Sequence, residues 1–230
     1  MNHFVRIAFI ATLLAVAGPA FAEVINDRSQ FVGDFTVIDF ETRGDGTPLV
    51  LGQSEAIPIH ADEYSPQGIT LTSTNLIIAN DGDKNADEAL AIVGSPENIL
   101  ADAAFPGFVR IDFDAPVNGV GIAVLNFTTP DGSKGGPVIF SAYNTLDDLI
   151  ETVEFEGDLV DGVIQSADPP FFLTSYGFMG VFSPDDPIAY AIITEALTDL
   201  DDLHFGMIPE PASLVLLGTG LVWMVRRRRR

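Results

Sequence analysis

The chain has 230 residues, no cysteine, and 33 acidic against 11 basic residues. Cysteine nucleophiles, thiolate zinc sites, iron–sulfur clusters and disulfide stapling are therefore excluded. Residues 23 to 208 hold 5 of the basic and 32 of the acidic residues, a formal net charge of −27; such a domain repels nucleic acid and anionic lipid and attracts cations.

The predicted elements begin with a signal helix. Arg6 is followed by apolar Ile7 to Ala17, a Gly18-Pro19 break, and Ala20-Phe21-Ala22. This reads as a secretory signal peptide over residues 1–22, cut at the A-x-A site of Ala20 and Ala22 by the general secretion machinery. The apolar run is too short for a transmembrane helix. Residues 23–208 then form one domain long enough for a sizeable core.

Strands are predicted at Phe35–Phe40, Ile69–Leu71 and Leu76–Ala79. In Phe108–Phe113, Val109, Ile111 and Phe113 share one face, while Arg110 and Asp112 take the other. Val120–Phe127 suits an inner strand. Val138–Tyr143 follows a loop of turn formers, Thr129 to Pro137, and the pair reads as a hairpin with a mobile tip. Thr152–Phe155, Phe171–Thr174, Phe178–Phe182, Ile188–Thr194 and Leu203–Phe205 complete about ten strands. Asp87–Val93 and Pro96–Ala104 read as short helices, and Met207–Pro211 as a linker. Short strands between Gly, Pro, Asp and Asn predict an all-β sandwich or jelly roll.

The last 22 residues form three ordered pieces. Pro209-Glu210-Pro211 comes first, then fourteen uncharged residues, Ala212 to Val225, then Arg226, Arg227, Arg228, Arg229 and Arg230. A full bilayer crossing takes ~20 apolar residues. This run is short for a permanent anchor, and the arginines stay on the cytoplasmic side, so the segment reads as a transmembrane helix that stops export transiently. The trio resembles the PEP-CTERM sorting signal of Gram-negative bacteria. That resemblance implies transient inner-membrane insertion, then removal of the tail by exosortase, a membrane-embedded cysteine transpeptidase or protease. It also implies delivery to the cell surface or extracellular matrix of cells that make exopolysaccharide and biofilm.

Phe40-Glu41 on the first predicted strand and Asp201-Asp202-Leu203-His204-Phe205 on the last resemble calcium-bearing jelly-roll carbohydrate-binding modules. There a structural Ca²⁺ pins the neighbouring first and last strands. By that resemblance Glu41 and one of Asp201 or Asp202 are metal ligands, helped by backbone carbonyls. If Leu203 and Phe205 point inward, alternation puts Asp201 on their face and Asp202 opposite, which does not settle which of them binds. A second candidate cation loop has alternate oxygen side chains at Asp81, Asp83, Asn85 and Asp87. Ala86 stands where an EF-hand needs Gly and Ile92 where it needs Glu, so it is not an EF-hand.

Catalysis finds little support. His60 and His204 are the only mature histidines, neither in a zinc spacing, and no G-x-S-x-G elbow is present. Arg43-Gly44-Asp45 is a tripeptide of some adhesins, but is cheap in a chain rich in Gly and Asp. Tyr64, Tyr143, Tyr176 and Tyr190 are candidate sugar-stacking rings, since the single Trp223 lies in the removed tail. The expectation is an exported, non-enzymatic β-sandwich protein without a catalytic site, associated with exopolysaccharide. Ca²⁺ would serve it structurally or as a bridge. A self-assembling matrix protein and a polysaccharide hydrolase are the alternatives.

Overall fold

Alternating burial along Gly107–Val117 sets the first layer. Val109, Ile111 and Phe113 are buried while Phe108, Arg110 and Asp112 face outward, as the sequence pattern predicts. The computed structural model describes residues 22–52, 55–80, 98–102, 107–128, 137–155, 158–159, 173–195 and 198–208. The predicted signal helix, the candidate cation loop at 81–87, the predicted helix at 87–93 and the whole sorting tail lie outside them. Among the described residues no helix is long and apolar enough to cross a membrane.

Fourteen strands are described, against about ten expected. In chain order they are β1 (Glu23–Ile25), β2 (Phe35–Ile38), β3 (Ala56–Pro58), β4 (Ile69–Thr72), β5 (Leu76–Asn80), β6 (Asn98–Asp102) and β7 (Gly107–Val117). Then follow β8 (Gly119–Thr128), β9 (Ile139–Tyr143), β10 (Leu149–Glu154), β11 (Asp158–Leu159), β12 (Leu173–Phe182), β13 (Ile188–Glu195) and β14 (Thr198–Gly206). One sheet runs β1-β12-β8-β14-β6-β5-β3, with β11 also on β12 and β2 also on β14; the other runs β10-β9-β13-β7-β4. Every pairing is antiparallel. Inner faces of both sheets, including Val120, Ile122, Val124 and Leu203 from one and Val109, Ile111, Phe140 and Ile193 from the other, share one core. Each such buried aliphatic contributes about 1.5–3 kcal/mol over its exposed state.

Several expectations are corrected. The predicted helix at Pro96–Ala104 contains strand β6, whose Ile99 and Leu100 are both buried. Burial on both faces removes the alternation that marks a strand. Of the two predicted strands at 171–174 and 178–182, the described residues, 173–174 and 178–182, belong to one strand, β12. The expected hairpin across residues 129–137 is not one, because β8 lies in the nine-stranded sheet and β9 in the five-stranded sheet. Phe40 falls outside β2, with φ of 53°.

A second apolar layer covers the outer face of the nine-stranded sheet. Along β8 the inner residues are large (Val120, Ile122, Val124), while Gly119, Gly121 and Ala123 alternate with them. That smooth surface receives Phe31, Phe178, Phe182, Ile25 and Ile208. A Cβ on Gly121 would stand 2.4 Å from the Phe178 ring and 3.1 Å from Phe31. Phe31 is delivered by the 3₁₀ turn Arg28–Gln30. Asp27 caps that turn by accepting from Ser29 N–H at 2.8 Å, and Gln30 Oε1 accepts in return from Asp27 N–H.

Candidate functional site

Strands β2, β6 and β14 meet at the predicted calcium position. Ile38 at the end of β2 pairs with Leu203 of β14, and Leu100 of β6 pairs with Leu200. Asn98, which opens β6, donates its backbone N–H and its amide to the two Glu41 oxygens at 2.6 and 2.7 Å. The same amide also reaches the Leu49 carbonyl at 3.1 Å. Glu41 therefore ties the loop after β2 to β6, a charge-assisted contact of the stronger kind.

Asp201 is fully buried, and its Oδ1 accepts from Asp202 N–H at 2.8 Å. Asp202 Oδ2 lies 3.8 Å from the Arg28 guanidinium. The expected parity does not hold here. Asp201 pairs with Ala123 and His204 with Gly121, so β14 carries one extra residue, at a bulge where Asp202 has φ of 41°. Paired residues share a face, so Asp201 and His204 both join the outer layer with Ala123, while Leu200, Leu203 and Phe205 point into the core. Each of the three carboxylates has an oxygen turned to a protein donor. Among the described residues no three His, Asp or Glu side chains are grouped so as to hold a metal ion.

His204 sits in an aromatic cage. Phe35 stacks on it at 5.5 Å, and Phe31 and Phe178 meet it edge-on at 5.3 Å. Neither ring nitrogen has a hydrogen-bond partner among the described residues. Burial pushes its pKa down from 6.5 to about 4, with the Arg28 charge acting in the same direction. His60 is exposed.

The tyrosines divide. Tyr64 is core: it meets Phe40 edge-on, donates its hydroxyl to the Thr42 carbonyl at 3.1 Å, and has its phenol pushed up by burial. Tyr176 pairs with Leu125 within β12 and β8. Tyr143 and Tyr190 are brought together on the outward face of the five-stranded sheet. Their rings stack 4.7 Å apart and nearly parallel, and the Arg110 guanidinium lies 3.7 Å over Tyr190. Arg110 in turn grips Asp112 through Nε and Nη2 at 2.6–3.0 Å, which holds its pKa up. Tyr190 is thus covered on both sides and 8% exposed, with its phenol pushed up by burial first and by Asp147 next. Tyr143 is half-buried, and its cross-strand partner Leu149 and the nearby Leu146 are exposed at 55% and 76%.

Arg43-Gly44-Asp45 is a structural turn. A Cβ on Gly44 would stand 1.7 Å from the Glu63 carbonyl, Asp45 accepts from Thr47 N–H and hydroxyl, and Arg43 meets Glu63 at 3.4 Å.

Three polar residues that the sequence left unmarked organise these places: Asn98 behind Glu41, Arg110 over Tyr190, and Asn118 at the end of the domain. Asn118 stands where the chain passes from β7 in one sheet to β8 in the other. Its side chain grips Ile208, donating to the carbonyl at 2.8 Å and accepting from the N–H at 2.5 Å. Residue 208 is therefore part of the folded domain, not of a linker. No local pattern marks a contact between residues 90 positions apart.

The described domain is an all-β sandwich that ends, at Ile208, where the Pro-Glu-Pro segment starts. Residues 208–230 match the PEP-CTERM protein-sorting motif. The motif implies export, membrane anchoring at the C-terminus, and processing by exosortase-type machinery. None of the curated proteins matches the sequence. Solved structures to which the chain shows some similarity include the enzymatically active domain of tailspike protein 4 of bacteriophage CBA120, at 10% identity and TM-score 0.32, covering 61% of this chain and 19% of that one. The K1 cleaved adhesin domain of Lys-gingipain from Porphyromonas gingivalis W83 is 8% identical at TM-score 0.31, covering 77% of this chain and all of that one. A family 29 carbohydrate-binding module is 13% identical at TM-score 0.26, covering 79% and 99%.

Proposed function

We propose that this is a non-enzymatic surface or matrix protein whose sandwich associates with the exopolysaccharide of the cell that exports it. The observation that carries this reading is the Tyr143–Tyr190–Arg110 stack on the outward face of the five-stranded sheet. Sugar rings offer an apolar C–H face and a rim of hydroxyls. Tyr143 with Leu149 supplies an apolar platform, and the Arg110–Asp112 pair beside it supplies fixed donors and acceptors. Tyr190 organises the platform, and Tyr143 is the ring a ligand can reach.

Charge adds a condition. A domain of −27 repels an acidic polymer, so association with one runs through a divalent cation held between the two. The role proposed for Ca²⁺ is this bridge. Glu41, Asp201 and Asp202 serve protein contacts in the structure and are not assigned to it.

The test is cosedimentation of the mature protein with that exopolysaccharide, with calcium titrated against a chelator. Pelleting of the wild type and about tenfold weaker pelleting of Tyr143→Ala, the loss of ~1.4 kcal/mol of stacking, is the expected result. Equal pelleting of both proteins would remove the platform from the account. No pelleting at any calcium level would remove the association.

A further inference from the structure

Ile208 is the last residue before Pro209-Glu210-Pro211, and the folded domain holds it in three ways. Both of its backbone polar groups are bonded to the Asn118 side chain, at 2.8 and 2.5 Å. Asn118 is itself buried and fixed, donating its N–H to the Gly206 carbonyl at 3.2 Å and accepting from Ser183 N–H at 2.7 Å. The Ile208 side chain is buried in the outer layer, over Gly119. A Cβ on that glycine would fall 2.1 Å from Ile208 Cδ1.

This grip lies beside the segment that the processing enzyme must take hold of. An extended chain spans at most ~3.6 Å per residue, so Ala212, the first residue of the apolar run, lies within ~14 Å of Ile208. A membrane-embedded enzyme acting at the Pro-Glu-Pro segment therefore meets a folded domain almost in contact with its substrate. The residue on the amino side of the motif already has both hydrogen-bonding groups in use. Freeing it requires a local opening, whose cost is set by the two bonds and the buried side chain.

We propose that Asn118 and Ile208 form a latch that withholds the amino side of the sorting motif from the processing enzyme, so that opening of the latch limits maturation. This rests on the sorting reading and adds a rate-setting contact inside the folded domain. The latch also keeps Ile208 docked as part of the sandwich after the tail is removed.

The experiment follows conversion of full-length precursor to mature protein by pulse-chase in the exporting cells. Asn118→Ala removes both bonds. A six-residue Gly-Ser spacer between Ile208 and Pro209 leaves the latch closed but gives the enzyme room. Both are expected to mature about five- to tenfold faster than the wild type, the worth of one to two net hydrogen bonds. A precursor lacking Arg226 to Arg230 stays unprocessed. Wild-type or slower maturation of the spacer form, with the arginine deletion still unprocessed, overturns the latch alone. Normal trimming of the arginine deletion overturns the sorting reading beneath it. If Asn118→Ala is degraded before processing, the spacer form decides the matter, because its domain is unaltered.

Discussion

The cage around His204 makes the stability of this domain depend on pH in a particular window. The imidazole is 7% exposed, surrounded by Phe31, Phe35 and Phe178, and has no partner for either nitrogen among the described residues. Its pKa is lowered from 6.5 to about 4 in the folded state, first by burial and then by Arg28. Because the folded pKa lies below the unfolded one, the unfolded chain binds the proton first as pH falls. The share of stability linked to this ring is therefore fully present above pH ~6.5, declines as pH falls below that, and is gone below about 4. At 1.36 kcal/mol per pKa unit the loss attributable to this ring is about 3 kcal/mol. Replacing His204 by Phe keeps the aromatic packing and removes both the titration and two unsatisfied nitrogens. Urea unfolding of residues 23–208 at pH 7.5 and 4.5 measures the effect. The variant should be about 1–2 kcal/mol more stable at pH 7.5, and the difference should widen to about 4 kcal/mol at pH 4.5. Comparing the two proteins cancels the carboxylates, which titrate in both. Equal loss of stability between the two pH values in variant and wild type would refute the cage as the cause.

Two further outcomes follow from the same geometry. Glu41→Ala strips Asn98 of both charge-assisted bonds, leaving its buried N–H unpaired and its amide with the Leu49 carbonyl alone, and should cost about 3 kcal/mol in urea unfolding at pH 7. An unchanged midpoint would mean that the β2–β6 tie is dispensable. Gly180→Ala places a Cβ 2.3 Å from the Val120 carbonyl on the neighbouring strand, where backbone cannot give way as a side chain can. It should lower the melting temperature by several degrees, the effect of about 2 kcal/mol in a domain of this size, and a wild-type melting curve would contradict the packing described.

What could be read from the sequence depended on how each strand is buried. β7 was legible because its outer face, with Arg110 and Asp112, meets solvent and its inner face does not. β6 was not, because Ile99 and Leu100 are both covered and leave no period. β1 has three residues, and β3 has three and contains Pro58, so neither offers enough pattern; both lie at sheet ends, where such strands are tolerated. The sorting tail was legible because its pieces are contiguous and each has its own physics. The candidate sites were less so. One extra residue in β14 turns Asp201 from the core face to the outer layer, and a bulge leaves no mark that alternation can detect. The partners that define each place, Asn98 for Glu41 and Asn118 for Ile208, lie 57 and 90 residues away. Tyr143 and Tyr190 were nominated as rings, but their stacking follows from β9 and β13 being neighbours, which only the sheet order reveals.

The position of β14 connects the fold to its export. The sorting motif at residues 208–230 implies export with the C-terminus held at the membrane, so β14 is the last strand of the described domain to cross. It is also central: it pairs with β8 along one edge and with β6 and then β2 along the other. Without it the nine-stranded sheet falls into two pieces, β1, β11, β12 and β8 on one side and β3, β5 and β6 on the other, with β2 left unpaired. The core residues Leu200, Leu203 and Phe205 would be missing as well. Only five residues separate the end of β14 at Gly206 from the start of the apolar run at Ala212. The domain therefore cannot close its larger sheet until the tail is at the membrane. A sorting signal that halts the chain there keeps an unfinished sandwich, with an open sheet centre and a strongly acidic surface, attached to the cell until its last strand is in place. The Asn118–Ile208 contact forms only after that strand is seated, since Asn118 N–H is bonded to Gly206 at its end. Closure of that contact thus reports completion of the fold at the place where processing begins.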